Sequence, residues 1–227
     1  MNALMNRLRI VLKTSDADAH ALENLRSDDT VEVAQGKLLE FRPRDRQATT
    51  GVIFYQGGRC APEAYAPLLR PLAAAGMHVF VPHMALRLAV TGANKAAGIM
   101  AAHPHITRWY IGGHSMGGSM AAGFASKHRE ELAGLFLVGS YAAAMHAMPD
   151  AAMPVLLVHG TRDEEVSEAE IAAQPARLPE HTRFVAIEGG DHYQFGSFHE
   201  EDHTATISRD EQQQQTISAL LDFLRPA

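Results

Sequence analysis

Short, mostly apolar runs recur along the chain and are separated by longer stretches with helical periodicity. Because these runs are continuous rather than alternating, we expect strands that are covered on both faces, as in a parallel sheet. The predicted strands are Gly51–Tyr55, His78–Val81, Trp109–Gly112, Leu135–Val138, Val155–Val158 and Phe184–Ile187. The predicted helices between them are Pro62 to about Ala75, about Ala93 to Ala102, and Met116 to about His128. This alternation predicts the α/β class, with a mostly parallel central sheet flanked by helices.

The two ends of the chain carry different signals. Ser208 and Glu211 have the spacing of a capping box, and the apolar residues Ile217, Leu220, Leu221 and Leu224 follow with helical period. Near the other end, Val31–Phe41 is interpreted as an antiparallel edge hairpin around Gly36, and one helix is expected near Asp16–Leu25. No repeat, linker or charge block divides the sequence. We therefore expect residues 1–227 to form one domain, with 1–30 as an N-terminal extension.

Composition narrows the class of protein. The 227 residues suffice for one buried core, and a net charge of −6 without a basic stripe argues against nucleic acid or an anionic membrane as the main partner. The single cysteine excludes a framework of intramolecular disulfides. The longest early apolar run, residues 10–12, is too short for a signal peptide or membrane span, so a cytoplasmic protein is expected. Thirteen histidines keep metal chemistry under consideration, and the oligomeric state is left open.

The segment Gly113-His-Ser-Met-Gly117 matches the pattern G-x-S-x-G. Short motifs also arise by chance, so the structural context must decide. Here a strand precedes the serine and a helix of small residues follows it, which is the context of a nucleophile elbow. Glycines at 113 and 117 remove side chains that would collide at the tight turn, and the helix N-terminus favours developing negative charge. We interpret Ser115 as a nucleophile.

A serine nucleophile requires a base, and the base requires an acid that orients it. In a parallel sheet these residues must lie in loops at the carboxyl ends of strands. Asp163 and His192 each follow one of the last two predicted strands, and the order Ser115, Asp163, His192 is the one expected for this topology. We therefore predict these three residues as a catalytic triad. The less favoured alternatives for the acid are Asp191, Glu164 and Glu165.

The oxyanion that forms during attack requires two backbone N–H donors. One is expected from Met116, directly after the nucleophile. The other is expected from the loop after the first core strand, where glycines let bare backbone approach the oxygen. We select Gly58 for this second donor, with Arg59 as the near alternative. His114 is expected to pack behind the turn, and Cys60 to be a half-buried filler.

A second motif competes with the serine. His199-Glu-Glu-Asp-His203 is a literal H-E-x-x-H, the pattern of zinc proteases. Zinc binding by this motif requires an amphipathic helix that presents both histidines to the ion. The segment has no apolar face and little room before the Ser208 cap, so we interpret it as an acidic, solvated loop and predict no metal site there.

Taken together, the sequence resembles the α/β-hydrolase superfamily, close to its small bacterial dienelactone-hydrolase-like members. The resemblance runs from about Thr50 to the C-terminus, and its most telling segments are Phe54–Gly58, Tyr110–Gly118 and Glu188–Gly196. It implies an α/β-hydrolase fold and hydrolysis of carboxylic esters through an acyl-enzyme, without a metal or organic cofactor. Dienelactone hydrolases proper use a cysteine nucleophile, so their substrate is not implied by Ser115. Members with similar motifs often have an N-terminal membrane anchor, which is not seen in this sequence.

The substrate is expected to be a small molecule. Many lipases of this fold insert a helical lid that would fall between Ser140 and Met153, where this chain has room for only a turn or one short helix. We therefore predict a minimal or absent lid and an open, shallow pocket with Tyr141, Met84, Leu86 and also Met145 on its walls, suited to short-chain acyl groups or small aromatic esters. Two rival functions are a non-catalytic ligand-binding fold and a zinc hydrolase that uses His199 and His203.

Overall fold

The computed structural model describes residues 14–199 and 203–225. Across these residues eight strands form one sheet in the order β1-β2-β4-β3-β5-β6-β7-β8. The first two strands pair antiparallel, β2 runs antiparallel to β4, and all pairs from β4 to β8 are parallel. The strands are β1 Val31–Ala34, β2 Leu38–Pro43, β3 Thr50–Tyr55, β4 His78–Pro82, β5 Arg108–His114, β6 Gly134–Val138, β7 Val155–Gly160 and β8 Arg183–Ile187. The predicted edge hairpin, β1 and β2, is confirmed.

Helices connect the strands close to the predicted positions. They are α1 Ala19–Glu23, α2 Ala66–Ala74, α3 Lys95–Ala102, α4 Met116–Ala125, α5 Glu168–Ala172 and α6 Arg209–Leu224. The predicted helix that starts at Pro62 begins with a 3₁₀ turn, Pro62–Tyr65, before α2. The Ser208 hydroxyl accepts the N–H of Glu211 at 3.2 Å, so the expected cap of α6 is confirmed.

The sheet is buried on both faces, as continuous apolar strands require. Val52 and Phe54 of β3 face the layer that contains α2 and α6. Ile53 and Tyr55 of the same strand face the other layer, which contains α3 and α4. Successive side chains of a strand point to opposite faces, so each central strand contributes to two cores.

The last strand differs from the expectation of a buried strand. Arg183, Phe184 and Ala186 of β8 are exposed, and Phe184 keeps 40% of its surface accessible. The reason is topological: β8 is at the edge of the sheet and pairs only with β7. An apolar run in the sequence cannot distinguish an edge strand from a central one.

The connection between β6 and β7 is short, as predicted. Residues 139–154 contain a single 3₁₀ turn, Ala144–His146, and no longer helix. The carboxyl ends of the neighbouring strands are therefore not covered by an inserted helical lid at this position.

The N-terminal segment crosses the loops at the carboxyl end of the sheet. Ser15 exchanges backbone hydrogen bonds with the loop after β3: its N–H donates to Arg59 at 3.2 Å, and its carbonyl accepts the N–H of Ala61 at 2.8 Å. Asp18 N–H donates to the carbonyl of Ser197, beyond β8. The segment thus joins two loops that are distant in sequence. None of the helices formed by the described residues is both long and apolar enough to cross a membrane.

Candidate active site

Ser115 lies on the sharp turn between β5 and α4. Its backbone has φ 52° and ψ −127°, a conformation that is strained for any residue other than glycine. The turn is held from two sides, because the Ser115 N–H donates to Val138 at 3.2 Å and its carbonyl accepts the Ser140 hydroxyl at 2.6 Å. The serine is thus raised above the sheet at the start of a helix.

Two glycines make this turn possible. A Cβ atom at Gly117 would lie 2.1 Å from the carbonyl oxygen of Tyr55 and 2.3 Å from that of Gln56. A Cβ at Gly113 would lie 2.4 Å from the same Tyr55 oxygen. All three distances are far below van der Waals contact, so the close approach of the elbow to the end of β3 requires glycine at both positions.

His192 and Asp163 form a hydrogen-bonded pair beside the elbow. Nδ1 of His192 is 2.8 Å from Oδ2 of Asp163, and the two side chains are 7% and 1% exposed. The other oxygen of Asp163 accepts the N–H groups of Glu165 and Val166 at 2.9 and 2.8 Å. The carboxylate is therefore held rigidly, and the second ring nitrogen of His192, Nε2, is the one left for proton exchange.

Asp191, the alternative acid, has other partners. Its two carboxylate oxygens accept the N–H groups of Gln194 and Thr204, at 2.9 and 3.2 Å, and Oδ2 also contacts Nδ1 of His203 at 3.1 Å. It is 2% exposed and stabilises the loop around His192. The hydrogen-bond partners therefore distinguish Asp163 from Asp191, which the spacing in the sequence alone does not.

His114, the residue before Ser115, lies behind the turn and is 1% exposed. Its ring centroid is 4.5 Å from that of His192, and its Nε2 is 3.0 Å from the His192 carbonyl oxygen. A carbonyl can only accept, so Nε2 carries the proton and Nδ1 accepts the Tyr65 hydroxyl at 2.8 Å. Burial, with the neighbouring His192, holds the pKa of His114 well below its ordinary value, which keeps this ring neutral.

Tyr65 extends this chain of hydrogen bonds to the loop after β3. Its hydroxyl accepts the N–H of Gly57 at 3.0 Å while donating to His114. One buried network therefore links the glycine loop, the elbow and the backbone of His192. Sequence reasoning did not single out Tyr65, because its role depends on contacts with residues 8 and 49 positions away.

The candidate oxyanion donors lie next to each other. A Cβ on Gly58 would be 3.1 Å from the terminal methyl of Met116. The N–H of Arg59 donates to the carbonyl of Arg87 at 2.7 Å, and that of Gly57 is used by Tyr65. Among the described residues we find no acceptor for the N–H groups of Gly58 and Met116. These contacts favour Gly58 over its alternative, Arg59.

Gln56, between Tyr55 and the glycine loop, is a second residue that the sequence did not single out. Its side chain is completely buried, and within the described part of the chain neither its amide oxygen nor its nitrogen has a hydrogen-bond partner. Buried polar groups without partners are rare and cost free energy. The loop directly beside the elbow therefore carries a cost in folding free energy that contacts elsewhere in the fold must offset.

The predicted pocket residues lie in different environments. Met84 is 5% exposed and packs into the core, whereas Leu86 and Met145 are 83% and 84% exposed. Tyr141 is half-buried, one residue after Ser140. A cavity of about 260 Å³ borders Asp163 and is also lined by His159, Val166 and Ile171. The assignment of Tyr141, Met84 and Leu86 to the walls of a substrate pocket remains a prediction.

Only part of the H-E-x-x-H segment is described, since residues 200–202 lie outside the described ranges. His199 is exposed and lies in a bend, and His203 contacts the carboxylate of Asp191. The described end of this segment thus anchors a loop next to His192.

Comparison with known proteins agrees with this architecture. A model of the alpha/beta hydrolase family matches residues 51–214. Est1E from Butyrivibrio proteoclasticus with bound ferulic acid superposes with a TM-score of 0.63 at 14% identity, covering 87% of this chain and 97% of that one. A provisionally named dienelactone hydrolase from Klebsiella pneumoniae gives 0.66 at 14% identity, with coverages of 86% and 99%.

A third similar structure carries an organophosphorus group. Thermogutta terrifontis esterase 2 phosphonylated by cyclosarin has a TM-score of 0.64 at 17% identity, with 87% of this chain and 96% of that one covered. At these identities the structural matches establish the fold alone. No curated protein sequence matches this chain.

Proposed function

The chain belongs to the alpha/beta hydrolase family, and on that premise we propose that it is a serine hydrolase that cleaves small carboxylic esters through an acyl-enzyme. The observation that carries this proposal is the buried pair His192–Asp163, joined at 2.8 Å next to the strained serine of the elbow. An ester as substrate is further supported by similarity to two esterases, one of them with bound ferulic acid.

In the proposed reaction the Ser115 hydroxyl attacks the ester carbonyl while Nε2 of His192 takes its proton. The negative charge of Asp163 stabilises the imidazolium that results. The neutral state of His114 matters here, because a second positive charge behind His192 would oppose this protonation. The N–H groups of Gly58 and Met116 hold the oxyanion of the tetrahedral intermediate.

Collapse of this intermediate releases the alcohol, which receives its proton from His192 and leaves an acyl group on Ser115. His192 then deprotonates a water molecule that attacks the acyl carbonyl. The second intermediate collapses to free acid and serine. Thioester cleavage would use the same groups, so ester hydrolysis is the proposal and thioesters belong in the substrate screen.

Ser115→Ala tests the proposal. We expect p-nitrophenyl butyrate hydrolysis to fall by about 10⁴-fold or more and labelling by a fluorophosphonate probe to disappear, with the fold unchanged. Ser119→Ala, one turn further along α4, is the matched control and should retain both properties. Turnover by Ser115→Ala close to wild type would refute the nucleophile. An unlabelled, inactive wild-type protein would instead favour a ligand-binding role.

Acyl-chain length tests the proposed substrate class. With no inserted lid between β6 and β7, a long chain gains little buried contact, so kcat/KM should be highest for short acyl groups or small aromatic esters. The measurement is kcat/KM across nitrophenyl esters from butyrate to laurate. A clear rise with chain length would contradict a short-chain esterase. Activity that is lost to a chelator and restored by zinc would contradict the serine mechanism.

A further inference from the structure

Three potential metal ligands meet at the opposite end of the sheet from Ser115. Glu40 lies on β2, His78 is the first residue of β4, and His103 follows α3. One ligand atom from each lies within 4.8 Å of the other two. His78 and Trp109 both pair with Gly51 of β3, so they lie at the same level along the parallel strands. Trp109 of β5 is six residues before Ser115. The cluster is therefore about 20 Å from Ser115, at 3.3 Å per strand residue.

The cluster is held in place by contacts within it and around it. Nε2 of His78 is 2.9 Å from Oε2 of Glu40, and these side chains are only 8% and 13% exposed. The rings of His78 and His103 both pack on Phe80, with centroid distances of 3.9 and 4.7 Å. Such packing limits the motion of both imidazoles, which reduces the entropy lost when they bind a ligand together.

His103 has the hydrogen bond that is typical of a metal-binding imidazole. Its Nδ1 is 2.8 Å from the carbonyl oxygen of Ile99, and because a carbonyl can only accept, Nδ1 must carry the proton. The lone pair of the neutral ring is then on Nε2. In metal sites the non-ligating nitrogen of a histidine usually donates to a carbonyl or carboxylate in this way.

We propose that Glu40, His78 and His103 bind one Zn²⁺ ion at a structural site separate from the hydrolase site. Two imidazoles and a carboxylate are a ligand set that zinc prefers. Tetrahedral bonds of about 2.0–2.1 Å place ligand atoms roughly 3.4 Å apart. The three atoms, already within 4.8 Å of one another, would need only a small adjustment.

The positive charges nearest the cluster are those of Arg42 and Arg46, which line the cavity beside it. Arg42 donates to Oε2 of Glu40 through Nε and Nη2 at 3.2 and 2.9 Å, and so already places a positive group on this carboxylate. Its side chain is 40% exposed, so it can turn into solvent when zinc takes its place. A cavity of about 260 Å³ lies beside the cluster, and the exposed His105 lines it with its ring centroid 5.9 Å from that of His103. An anion bound at the cluster would instead be repelled by the carboxylate of Glu40.

Zinc bound here would join β2, β4 and the end of α3. A ligand that binds only the folded chain raises its stability, so Zn²⁺ should raise the thermal midpoint of the protein. It should leave ester hydrolysis unchanged, because the cluster is at the far end of the strands. This role does not depend on the proposed function of Ser115.

The test is titration of the chelator-treated, dialysed full-length protein with ZnCl₂ in a calorimeter, with elemental analysis of the product. We expect one zinc per chain, a raised thermal midpoint, and visible absorption typical of tetrahedral Co²⁺ when cobalt replaces zinc. His103→Ala and Glu40→Gln should each weaken binding by about tenfold or more. Circular dichroism and retained ester hydrolysis will show that both variants are folded.

Two histidine variants serve as matched controls. His128→Ala removes a half-buried histidine that pairs with Glu131 at 2.7 Å, and His203→Ala removes one histidine of the H-E-x-x-H segment. Both should bind zinc as the wild type does. Absence of stoichiometric zinc binding by the wild type, or unchanged affinity in His103→Ala, would overturn the proposal. Loss of zinc in His203→Ala alone would move the site to the other motif.

Discussion

Individual residues near Ser115 are distinguished by their hydrogen-bond partners more than by their positions in the sequence. Asp163 and Asp191 are both buried carboxylates next to the same histidine loop, but only the first contacts the His192 ring. The second holds backbone N–H groups and His203. The same residue type thus holds an imidazole ring at one position and mainly backbone N–H groups at the other.

Substitution of the two aspartates by asparagine should separate these roles. For Asp163→Asn we expect kcat to fall by about 10³- to 10⁴-fold with a small change in stability, because the imidazolium loses its charged partner. Asp191→Asn should lower the unfolding midpoint and leave kcat of the folded protein within a few-fold of wild type. Ester kinetics and urea unfolding of both variants measure this. If Asp191→Asn lost kcat and Asp163→Asn lost only stability, Asp191 would be the acid.

His114 should make the protein less stable in mild acid. Its pKa is held well below the ordinary 6.5 by burial and by the adjacent His192. Below pH 6.5 the unfolded chain therefore binds a proton that the folded chain does not, and stability falls as pH falls. The loss is about 1.4 kcal/mol per pH unit for one proton, and there is none above pH 6.5.

Urea unfolding at pH 7.5 and 5.5 measures this dependence. The matched variant His114→Gln keeps a polar group in the site but cannot titrate, so its free energy of unfolding should fall less between the two pH values than that of the wild type. Equal pH slopes in the two proteins would show that another group causes the acid sensitivity.

At the scale of elements, α4 can approach the sheet only because its first turn has no side chains on that face. The N-terminus of the helix sits against the end of β3, and Cβ atoms at 113 and 117 would overlap backbone oxygens there. The pattern of glycines is therefore a packing requirement of the strand–turn–helix unit, which is why the motif could be interpreted from the sequence.

A pair of Gly→Ala substitutions tests this requirement. Gly117→Ala should abolish ester hydrolysis and lower stability by about 1–3 kcal/mol, because the methyl group would overlap the carbonyls of Tyr55 and Gln56. Gly98→Ala in the exposed middle of α3 meets no atom within 4 Å and should raise stability by about 0.5–1 kcal/mol. Thermal and urea unfolding compare the two. An active, stable Gly117→Ala protein would contradict the packing argument.

At the scale of the whole molecule, the site is assembled from loops that follow different strands and is crossed by the N-terminal segment. Asp18 connects this segment to both its own helix and the C-terminal helix. Its carboxylate accepts the N–H of Ala21 at 2.9 Å and pairs with Arg209 at 2.7 Å. The N-terminal segment is thereby tied to the start of α6.

Asp18→Ala should lower the free energy of unfolding by about 1–2 kcal/mol, since a helix cap and a partly buried ion pair are lost together. Asp45→Ala, which removes an exposed carboxylate paired with its neighbour Arg46, is the control and should leave stability unchanged. Urea unfolding measures both. No loss in Asp18→Ala would mean that the N-terminal segment is not tied to α6 through this residue.

Local sequence patterns were enough to predict the succession of strands and helices along the chain, the glycine-flanked elbow at Ser115, the edge hairpin and the cap of α6. These features depend on side-chain periodicity or on steric conflicts within a few residues, and both are readable along the chain. The positions of Asp163 and His192 at one rim also followed, because parallel strands bring their carboxyl ends together.

The contacts between distant residues depend on how the elements pack in space. β8 is exposed at the sheet edge, and Tyr65 is linked to His114. The Arg59 N–H donates to Arg87, whereas within residues 14–199 and 203–225 no acceptor lies against the Gly58 N–H. Packing also brings together Glu40, His78 and His103 from three separate elements. Each of these contacts joins residues far apart in the chain. Hydrogen bonds and ion pairs act over a few ångströms in space, a distance that sequence separation does not report.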